Sequence, residues 1–408
     1  MNIQTHIPYE SNAIKQTHPK HLYALAKNVG LHPALPDNAR ILELACASGG
    51  NLLPMAFHLN KATFVGIDIS ENEIAKANER REDLNLRNIS FIAKSIVDFH
   101  ESEKFDYIIC HGLFSWVNKD IQEAVLRLCQ QNLNDNGIAY ISYNTYPGWA
   151  IGNTLRDFML YASKDYDPLE EKIFSVRTLL QQMSSALDTP QTAYEWLLKE
   201  EVKIVSSHSN SQLMHEHLSE AHYPLYFYEF LEKAQSYALN YVCDATFFEF
   251  ESNRFDAEYS QKQDFIQNRR FRCSLLSKKA VTLEATKNFP LLYSQLSSQI
   301  NPTKLDFTKP LTACPFARYQ TMHQAHVTNR LHENILLTPL AQALMPFLNG
   351  ENDFDALLEV IQSYIDSGEL VLLDNTMHPI RGTHEQALHI AKMTQETLTL
   401  LAQRYLLI

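Results

Sequence analysis

The sequence lacks a long uncharged apolar segment. Nowhere do about 18 apolar residues follow one another, which is the length that a membrane-spanning helix needs. The first residues, MNIQTHIPYE, contain no basic stretch followed by an apolar run, so they do not resemble a secretory signal. We therefore expect a cytoplasmic protein that does not insert into a membrane.

Paired cysteines and an excess of positive charge are also missing. The six cysteines are scattered without a CxxC pair, and this spacing indicates neither disulfides nor a zinc knuckle. With 47 acidic and 35 basic residues, the formal net charge is −12. A surface that tracks the phosphates of a nucleic acid is therefore not expected.

The sequence does contain enough apolar material for more than one core, since 45% of its 408 residues are hydrophobic. From Arg40 to Asn144, short β-rich runs alternate with helical segments, a pattern typical of βαβ units and a parallel sheet. We predict an α/β fold with a doubly wound, Rossmann-like sheet. Its first five predicted strands are Ile41–Cys46, Thr63–Asp68, Ile89–Ala93, Tyr107–Cys110 and Ile138–Tyr143.

Three further regions follow this core. Leu155 to about Val202 has helical spacing and predicts a helical insert. Beyond it we expect a helix at Tyr226–Asn240 and an antiparallel pair of strands, Val242–Phe250 and Phe271–Ser277, that completes the sheet. The predicted boundaries are 1–146 for the core with an N-terminal cap at 1–36, 147–221 for the insert, 222–285 for the completion of the sheet or regulatory region, and 305–408 for a separate C-terminal domain.

The C-terminal domain is predicted to be mostly helical and winged-helix-like. The expected elements are short helices at Val327–Leu337, Ala341–Leu348 and Phe354–Ser367, a strand at Glu369–Leu373 and a closing helix at His384–Leu407. The stretch GENDFDALLEVIQSYIDSGE carries only acidic charges. We therefore expect this domain to contact protein or to form a homodimer, and not to bind nucleic acid.

The segment RILELACASGGNLLPMA joins an apolar strand to a helix through small residues. Such a turn lies at the carboxyl end of the first strand, where open α/β sheets bind ligands. Ala45, Ala47 and Gly49 occupy alternate positions where loops of this type usually carry glycines, and the helix amides that follow can bind a carboxylate. The alternative is a dinucleotide site, which needs GxGxxG without the preceding Glu43. The pattern favours a ligand with a methionine moiety.

Polar side chains end the next two strands. Asp68 ends FVGIDIS, and a carboxylate there can accept both hydroxyls of a ribose. The alternative role is helix capping, for which Ser70 with Glu73 is the more obvious pair. Ser95 and Ile96 follow the third strand, near the expected place of an adenine, and capping by Ser95 is an equal alternative.

The ends of the fourth and fifth strands carry candidate substrate-binding residues. CHGLFSW places His111 and Trp116 at the ligand edge, although Trp116 fits the core equally well. YNTYPGW places Tyr143, Asn144 and Tyr146 where a reacting group would lie, with a structural role as an equal alternative for both tyrosines. Hydroxyls and carbonyls can orient an amine for transfer without being consumed.

His215, Glu216, His217 and His222 form the densest histidine cluster in the sequence. A His-x-His pair can bind a metal in a strand, but surface histidines ahead of Pro224 explain the pattern more simply, and no metal is predicted. Imidazole titrates near neutrality, so His215 and His217 are the candidates for a base that accepts a proton from an incoming ammonium.

Several motifs in order resemble a known family. The chain is similar over nearly its whole length to bacterial methyltransferases that carry a methyltransferase regulatory domain, a family that includes rickettsial enzymes acting on lysines of outer-membrane proteins. The resemblance implies a class I methyltransferase fold, S-adenosylmethionine as methyl donor and protein lysine as acceptor. The motifs are QTHP at 16–19, ELACASGGNLLPMA at 43–56, GIDIS at 66–70, YIICHGLFSWV at 107–117, YISYNTYPGW at 140–149, HEHL at 215–218, NRRFRCSLL at 268–276 and residues 316–350.

The resemblance also implies that residues 17–19 fold over the cofactor. Alanine at positions 45 and 47 departs from the family's usual glycines, which predicts a wider loop or weaker cofactor affinity. The residues predicted to be catalytic are Tyr143, Asn144, Tyr146, His215 and His217. The residues predicted to bind the cofactor are Thr17, His18, Glu43, Ala45, Cys46, Gly49, Asn51, Asp68, Ile69, Ser95, Ile96 and His111.

Three classes of function stay open at this point. A protein lysine methyltransferase is favoured by the resemblance and by an acidic surface able to attract basic segments. A small-molecule methyltransferase would use the helical insert to close a pocket. A cofactor-binding regulator without catalysis is the third class, and the retained Glu43, Asp68 and YNTYPGW argue against it.

Overall fold

The computed structural model describes residues 11–219, 221–246, 257–281, 303–371, 373 and 383–408. Its centre is a seven-stranded sheet. The strands are β1 (Arg40–Leu44), β2 (Thr63–Asp68), β3 (Ile89–Ala93), β4 (Phe105–Cys110), β5 (Leu133–Asn144), β6 (Asn240–Asp244) and β7 (Phe271–Ser277). Their order across the sheet is β3-β2-β1-β4-β5-β7-β6.

The first five strands run parallel, and β7 is antiparallel to both β5 and β6. The α/β prediction of a doubly wound sheet closed by an antiparallel pair is therefore confirmed. The predicted strand Val242–Phe250 begins two residues earlier and ends at Asp244, and residues 247–250 lie outside the described part of the chain. Because parallel strands share one direction, the carboxyl ends of β1 to β5 meet at one edge.

The helices begin where the sequence supplies caps. The Asn118 side chain accepts from the Ile121 amide, and Ser70 accepts from the Glu73 amide, so each satisfies an unpaired N–H at its helix start. The helices are α1 (Pro19–Asn28), α2 (Leu52–His58), α3 (Glu71–Asp83), α4 (Lys119–Asn132), α5 (Trp149–Ala162), α6 (Leu169–Ala186), α7 (Ala193–Ser206), α8 (Asn210–Gln212), α9 (Phe227–Ser236), α10 (Ala257–Gln267), α11 (Pro315–Thr321), α12 (Pro339–Leu344), α13 (Phe354–Asp366) and α14 (Thr383–Gln403).

The insert is helical, as its spacing predicts. Helices α5, α6 and α7 bury a separate apolar cluster that includes Leu155, Val176 and Val202. A five-residue π-helix, Leu213–His217, then leads the chain back toward the sheet. Helices of this kind often mark functional sites because the extra residue redirects side chains.

One prediction for the C-terminal domain is wrong. Val327–Leu337 forms no helix but a hairpin of β8 (His326–Thr328) and β9 (Asn334–Leu336). The Asn329 side chain accepts from the amides of Leu331 and Glu333, and this local turn competes with helix formation. Of the predicted strand at 369–373, residues 369–371 lie in no strand and residue 372 is outside the described part.

The apolar core beside α1 and α2 continues into the C-terminal domain, where the rings of Phe57 and Phe316 are 5.7 Å apart. The two regions therefore share a packed interface. Among the described residues, we find no helix with the length and apolar character required to cross a membrane.

Candidate active site

The loop after β1 has an unusual backbone. Ala45, Ala47 and Gly49 adopt positive φ angles of 57°, 45° and 76°. Left-handed conformations favour glycine, because a Cβ atom crowds the neighbouring carbonyl. A Cβ atom at Gly49 would also lie 2.6 Å from the Phe91 ring. The alternating small residues of the sequence therefore build a tight left-handed turn at the carboxyl end of β1.

Glu43 lies beneath this loop and is 4% exposed. Its Oε1 atom accepts from Asn51 Nδ2 at 2.6 Å. Its Oε2 atom is buried, and no described residue hydrogen-bonds to it. Burial raises the pKa of Glu43 to about 8, despite the hydrogen bond from Asn51. A cationic group beside Oε2 would lower this pKa and favour the ionised form of Glu43.

Asp68 holds the loop from the neighbouring strand. Its Oδ2 atom accepts from the Ala47 amide at 2.9 Å, and its Oδ1 atom accepts from the Ser70 amide at 2.9 Å. Helix α3 is capped by Ser70 and not by Asp68. Ile69, the next residue, is 70% exposed. Binding of ribose by Asp68 stays a prediction, since each carboxylate oxygen keeps a second lone pair.

The N-terminal segment covers the loop. Ser11 Oγ accepts from the Gly50 amide at 2.8 Å, and the Ile14 amide donates to Asn51 Oδ1 at 2.9 Å. Thr17 is fully buried and accepts from Asn51 Nδ2 at 2.9 Å. His18 caps α1 through the Lys20 amide. The structure thus brings Thr17 next to Asn51, which is distant in sequence, and His18 follows at the start of α1.

The other predicted cofactor residues lie along the same edge. Ser95 is half-buried and caps a short 3-10 helix by accepting from the Val97 amide, which is the alternative role that the sequence allowed. Ile96 is half-buried and packs against the apolar cluster that includes Leu42 and Ile67. His111 Nδ1 lies 2.9 Å from the Tyr140 hydroxyl. Cys46 is buried, so its thiol packs as a small apolar group.

A chain of polar contacts begins at the end of β5. Asn144 Nδ2 lies 2.9 Å from His222 Nε2, and His222 Nδ1 lies 2.9 Å from Asn153 Oδ1. Asn153 Nδ2 donates to the Tyr146 hydroxyl at 2.8 Å. Because Asn153 Oδ1 can only accept, Nδ1 of His222 carries the proton and Nε2 accepts from Asn144.

Aromatic rings surround this chain. Trp116 stacks on His222 with ring centroids 4.3 Å apart, and Trp149 meets the same imidazole edge-on at 4.4 Å. Trp116 therefore lies at the edge of the sheet where ligands bind, which is one of the two positions that the sequence predicts for it. The pKa of His222 is lowered to about 3 by burial and by the nearby Arg156, so the ring is neutral.

Two predicted catalytic residues need correction. Tyr143 does not face the site but is 1% exposed, stacks on Phe230 and hydrogen-bonds to Ser274 at 3.0 Å. Alternate side chains of β5 point to opposite faces, which separates Tyr143 from Asn144. His217 is 1% exposed, and burial together with the charge of His208 lowers its pKa to about 3. It is too weak a base to hold a proton near neutrality.

His208, Glu216 and His217 approach one another, with potential ligand atoms within 4.8 Å. His208 Nδ1 lies 3.2 Å from His217 Nε2, so the imidazoles hydrogen-bond to each other. Burial lowers the pKa of both histidines, and Arg270 lowers it further. Glu201, which forms an ion pair with Arg270, raises the pKa of His208. His215 is half-buried on the same π-helix, and its role stays a prediction.

Three family models match parts of the chain. A methyltransferase domain model matches residues 35–235, a predicted methyltransferase regulatory domain matches 209–278, and a PKMT C-terminal winged helix domain matches 309–406. An uncharacterised protein of Rickettsia prowazekii is 30% identical over 90% of this chain and 86% of its own length. The chain belongs to this family of methyltransferases.

A second uncharacterised Rickettsia prowazekii protein is 38% identical to the methyltransferase over 56% of this chain and 92% of its own length. The solved structure of PKMT2 from Rickettsia typhi in complex with AdoHcy has a TM-score of 0.87 and 24% identity, and it covers 98% of this chain and 100% of that one. This likeness shows that the sheet is the class I methyltransferase fold. The protein is a methyltransferase that uses S-adenosylmethionine.

The site fits this cofactor. S-Adenosylmethionine carries an ammonium on its methionine part, and the buried, unpartnered Oε2 atom of Glu43 is an acceptor that lacks such a donor. When bound, the cofactor supplies an electrophilic methyl group on a sulfonium. Glu43 and Asn51, the left-handed loop and Asp68 are the groups that would hold it.

Sequence reasoning missed three contacts of the site. Ser11 reaches the Gly50 amide, Arg80 donates to Ser48 Oγ at 3.0 Å, and His332 reaches Asn51. His332 lies within one of the motifs that carry the resemblance, but no local pattern links it to a loop 281 positions away.

Proposed function

We propose that this methyltransferase transfers methyl groups to lysine side chains of proteins. The observation that carries the proposal is the hydrogen bonding of the Asn144 side-chain amide. His222 takes the Nδ2 donor of its amide, and no described residue hydrogen-bonds to its Oδ1 atom. This carbonyl is a fixed acceptor at the carboxyl edge of the sheet, suited to an amine N–H.

The rings around Asn144 suit the rest of a lysine side chain. The half-buried Trp116 can pack against a methylene chain and stabilise a cationic product. The Trp149 ring already carries the Arg270 guanidinium, 5.0 Å from its centroid, and His222 is neutral. The net charge of −12 favours the approach of basic protein segments.

The amine must be positioned and must be neutral. Lysine must react as the neutral amine, because its nitrogen lone pair attacks the methyl carbon. Burial lowers the pKa values of His217 and His222 to about 3, so both rings are neutral and weakly basic. Asn144 with Tyr146 orients the nitrogen, and His215 stays the candidate for the base that accepts its proton.

The match of residues 309–406 to the PKMT C-terminal winged helix domain supports this proposal. The test is incubation with methyl-labelled S-adenosylmethionine and a lysate of the host, followed by digestion with protease or nuclease. We expect label that protease alone releases. Label confined to small molecules would replace the proposal with a small-molecule acceptor, and cofactor binding without any transfer would indicate a regulator.

We also propose that the protein works in the cytoplasm and forms a homodimer. All six cysteines are buried free thiols, which supports a reducing compartment. Light scattering during size exclusion measures the oligomeric state, and a monomer at micromolar concentration would contradict the dimer.

A further inference from the structure

The hairpin of the C-terminal domain reaches the cofactor site. His332, in the turn between β8 and β9, is 4% exposed. Its Nε2 atom lies 2.8 Å from Asn51 Oδ1. Asn51 in turn donates to Glu43, so one side chain separates the C-terminal domain from the buried carboxylate.

The turn holds His332 in a defined conformation. His332 has a φ angle of 60°, a left-handed conformation that histidine adopts more often than most residues other than glycine. Asn329 fixes the turn from inside, because its Oδ1 accepts from the Leu331 and Glu333 amides and its Nδ2 donates to the Arg404 carbonyl. The His18 ring covers the imidazole with centroids 5.1 Å apart. The turn and this ring contact therefore hold the imidazole against Asn51.

His332 helps to hold the Asn51 amide in one orientation. The Ile14 amide N–H can only donate, so it sets Oδ1 of Asn51 on its own side and Nδ2 toward Glu43 Oε1. His332 Nε2 lies 2.8 Å from the same Oδ1, so this nitrogen carries the ring proton and adds a second donor. A flipped amide would place its NH2 group against the Ile14 N–H.

We propose that His332 is a positioning residue of the cofactor site, which keeps Asn51 Nδ2 on Glu43 by donating to Asn51 Oδ1. The C-terminal domain thereby increases the affinity of the methyltransferase for its cofactor. The proposal rests on the cofactor site alone and holds whether the acceptor is a protein or a small molecule.

The test compares the full-length chain with His332→Asn. Asparagine tolerates a positive φ, so the backbone of the hairpin should be kept, but its side chain is too short to reach Asn51. Circular dichroism checks that the variant is folded. We expect the Kd for AdoHcy, measured by calorimetry, to rise about tenfold. His332→Gln places an amide N–H near the position of Nε2 and should restore the Kd to within about threefold of the wild type.

Glu333→Gln is the matched control. It removes the half-buried ion pair of Glu333 with Lys15, 2.6 Å long, on the next residue of the same turn. We expect it to change the Kd by less than about twofold. An unchanged Kd in His332→Asn, or equal losses in the Asn and Gln variants, would overturn the proposal.

A double-mutant cycle tests the route through Asn51. If His332 acts through that amide, His332→Asn should weaken AdoHcy binding no further in a chain that already carries Asn51→Ala. Additive losses would show that His332 acts on the site in another way and would contradict the proposal.

Discussion

Ala45 and Ala47 carry the left-handed turn without the glycines that usually occupy it. Each holds a Cβ atom at a positive φ of 57° or 45°, a conformation that destabilises an L-residue by about 1 kcal/mol. We expect Ala47→Gly to raise the free energy of unfolding by about 0.5 kcal/mol, since relief of strain exceeds the added flexibility of the unfolded chain.

Urea titration measures this change, with Ala56→Gly as control. Ala56 lies within α2, so its replacement should lower stability by about 1 kcal/mol. Loss of stability in both variants would mean that the loop is not strained.

Glu43 makes cofactor binding depend on protons. Its folded-state pKa of about 8 means that it is mostly protonated at pH 7, and a bound ammonium at Oε2 would favour the carboxylate. We expect binding of S-adenosylmethionine at pH 7 to release close to one proton. Calorimetry in two buffers of different ionisation enthalpy measures the release, which Glu43→Gln should abolish. Equal heats in both buffers would contradict this role.

At the scale of elements, a buried ion pair secures the edge of the sheet. Arg272 of β7 is fully buried, pairs with Asp264 of α10 at 2.7 Å and lies over the Phe227 ring of α9 at 3.7 Å. Removing one partner leaves an uncompensated charge, so we expect Arg272→Met to destabilise the protein by about 3–5 kcal/mol.

Lys76→Met is the control for Arg272→Met. The exposed pair of Lys76 with Glu73 should contribute less than about 1 kcal/mol. Chemical denaturation monitored by circular dichroism gives both values, and similar losses in the two variants would refute the structural role of Arg272.

The elements also show what the sequence could predict. The strand β2 and the strand β7 agree with their predicted bounds, because short apolar runs between turn residues specify buried strands. The helix that the sequence predicts at 327–337 is a hairpin in the structure, because its strands are three residues long and its turn depends on the Asn329 side chain. Periodicity cannot detect such short elements.

The sequence could predict the site residues that lie at the ends of parallel strands. Glu43, Asp68 and Asn144 lie at the carboxyl edge because the parallel sheet places them there. Tyr143 was assigned to the wrong face, although the two-residue period of a strand excludes it once Asn144 is placed. The contact of His332 with Asn51 was not predictable, since packing of distant regions alone creates it.

At the scale of the whole molecule, several neutral histidines are buried at the junction between the core and the C-terminal domain. Burial lowers the pKa of His18 well below its usual value, that of His58 to about 4 and that of His332 to about 3. In the unfolded chain these groups bind protons below about pH 6.5. Because the unfolded state then holds more protons, stability falls as the pH falls from about 6.5 toward 4.

Melting temperatures between pH 7.5 and pH 4.5 test this dependence. We expect His332→Asn to reduce the slope of stability against pH below about pH 6.5, because it removes one of the groups. His326→Asn, on the exposed part of the same hairpin, is the control and should leave the slope unchanged. An identical slope in all three proteins would exclude His332 as a source of acid sensitivity.

The central claim is that Asn144 orients a protein lysine for methyl transfer. The most direct measurement is the yield of methyl-lysine after acid hydrolysis of host proteins labelled by the wild type and by Asn144→Leu, with the AdoHcy affinity of both recorded. We predict methyl-lysine from the wild type, a loss of about 100-fold in the variant and a nearly unchanged Kd. Absence of methyl-lysine from the wild-type reaction, or an equal yield from Asn144→Leu, would contradict the account.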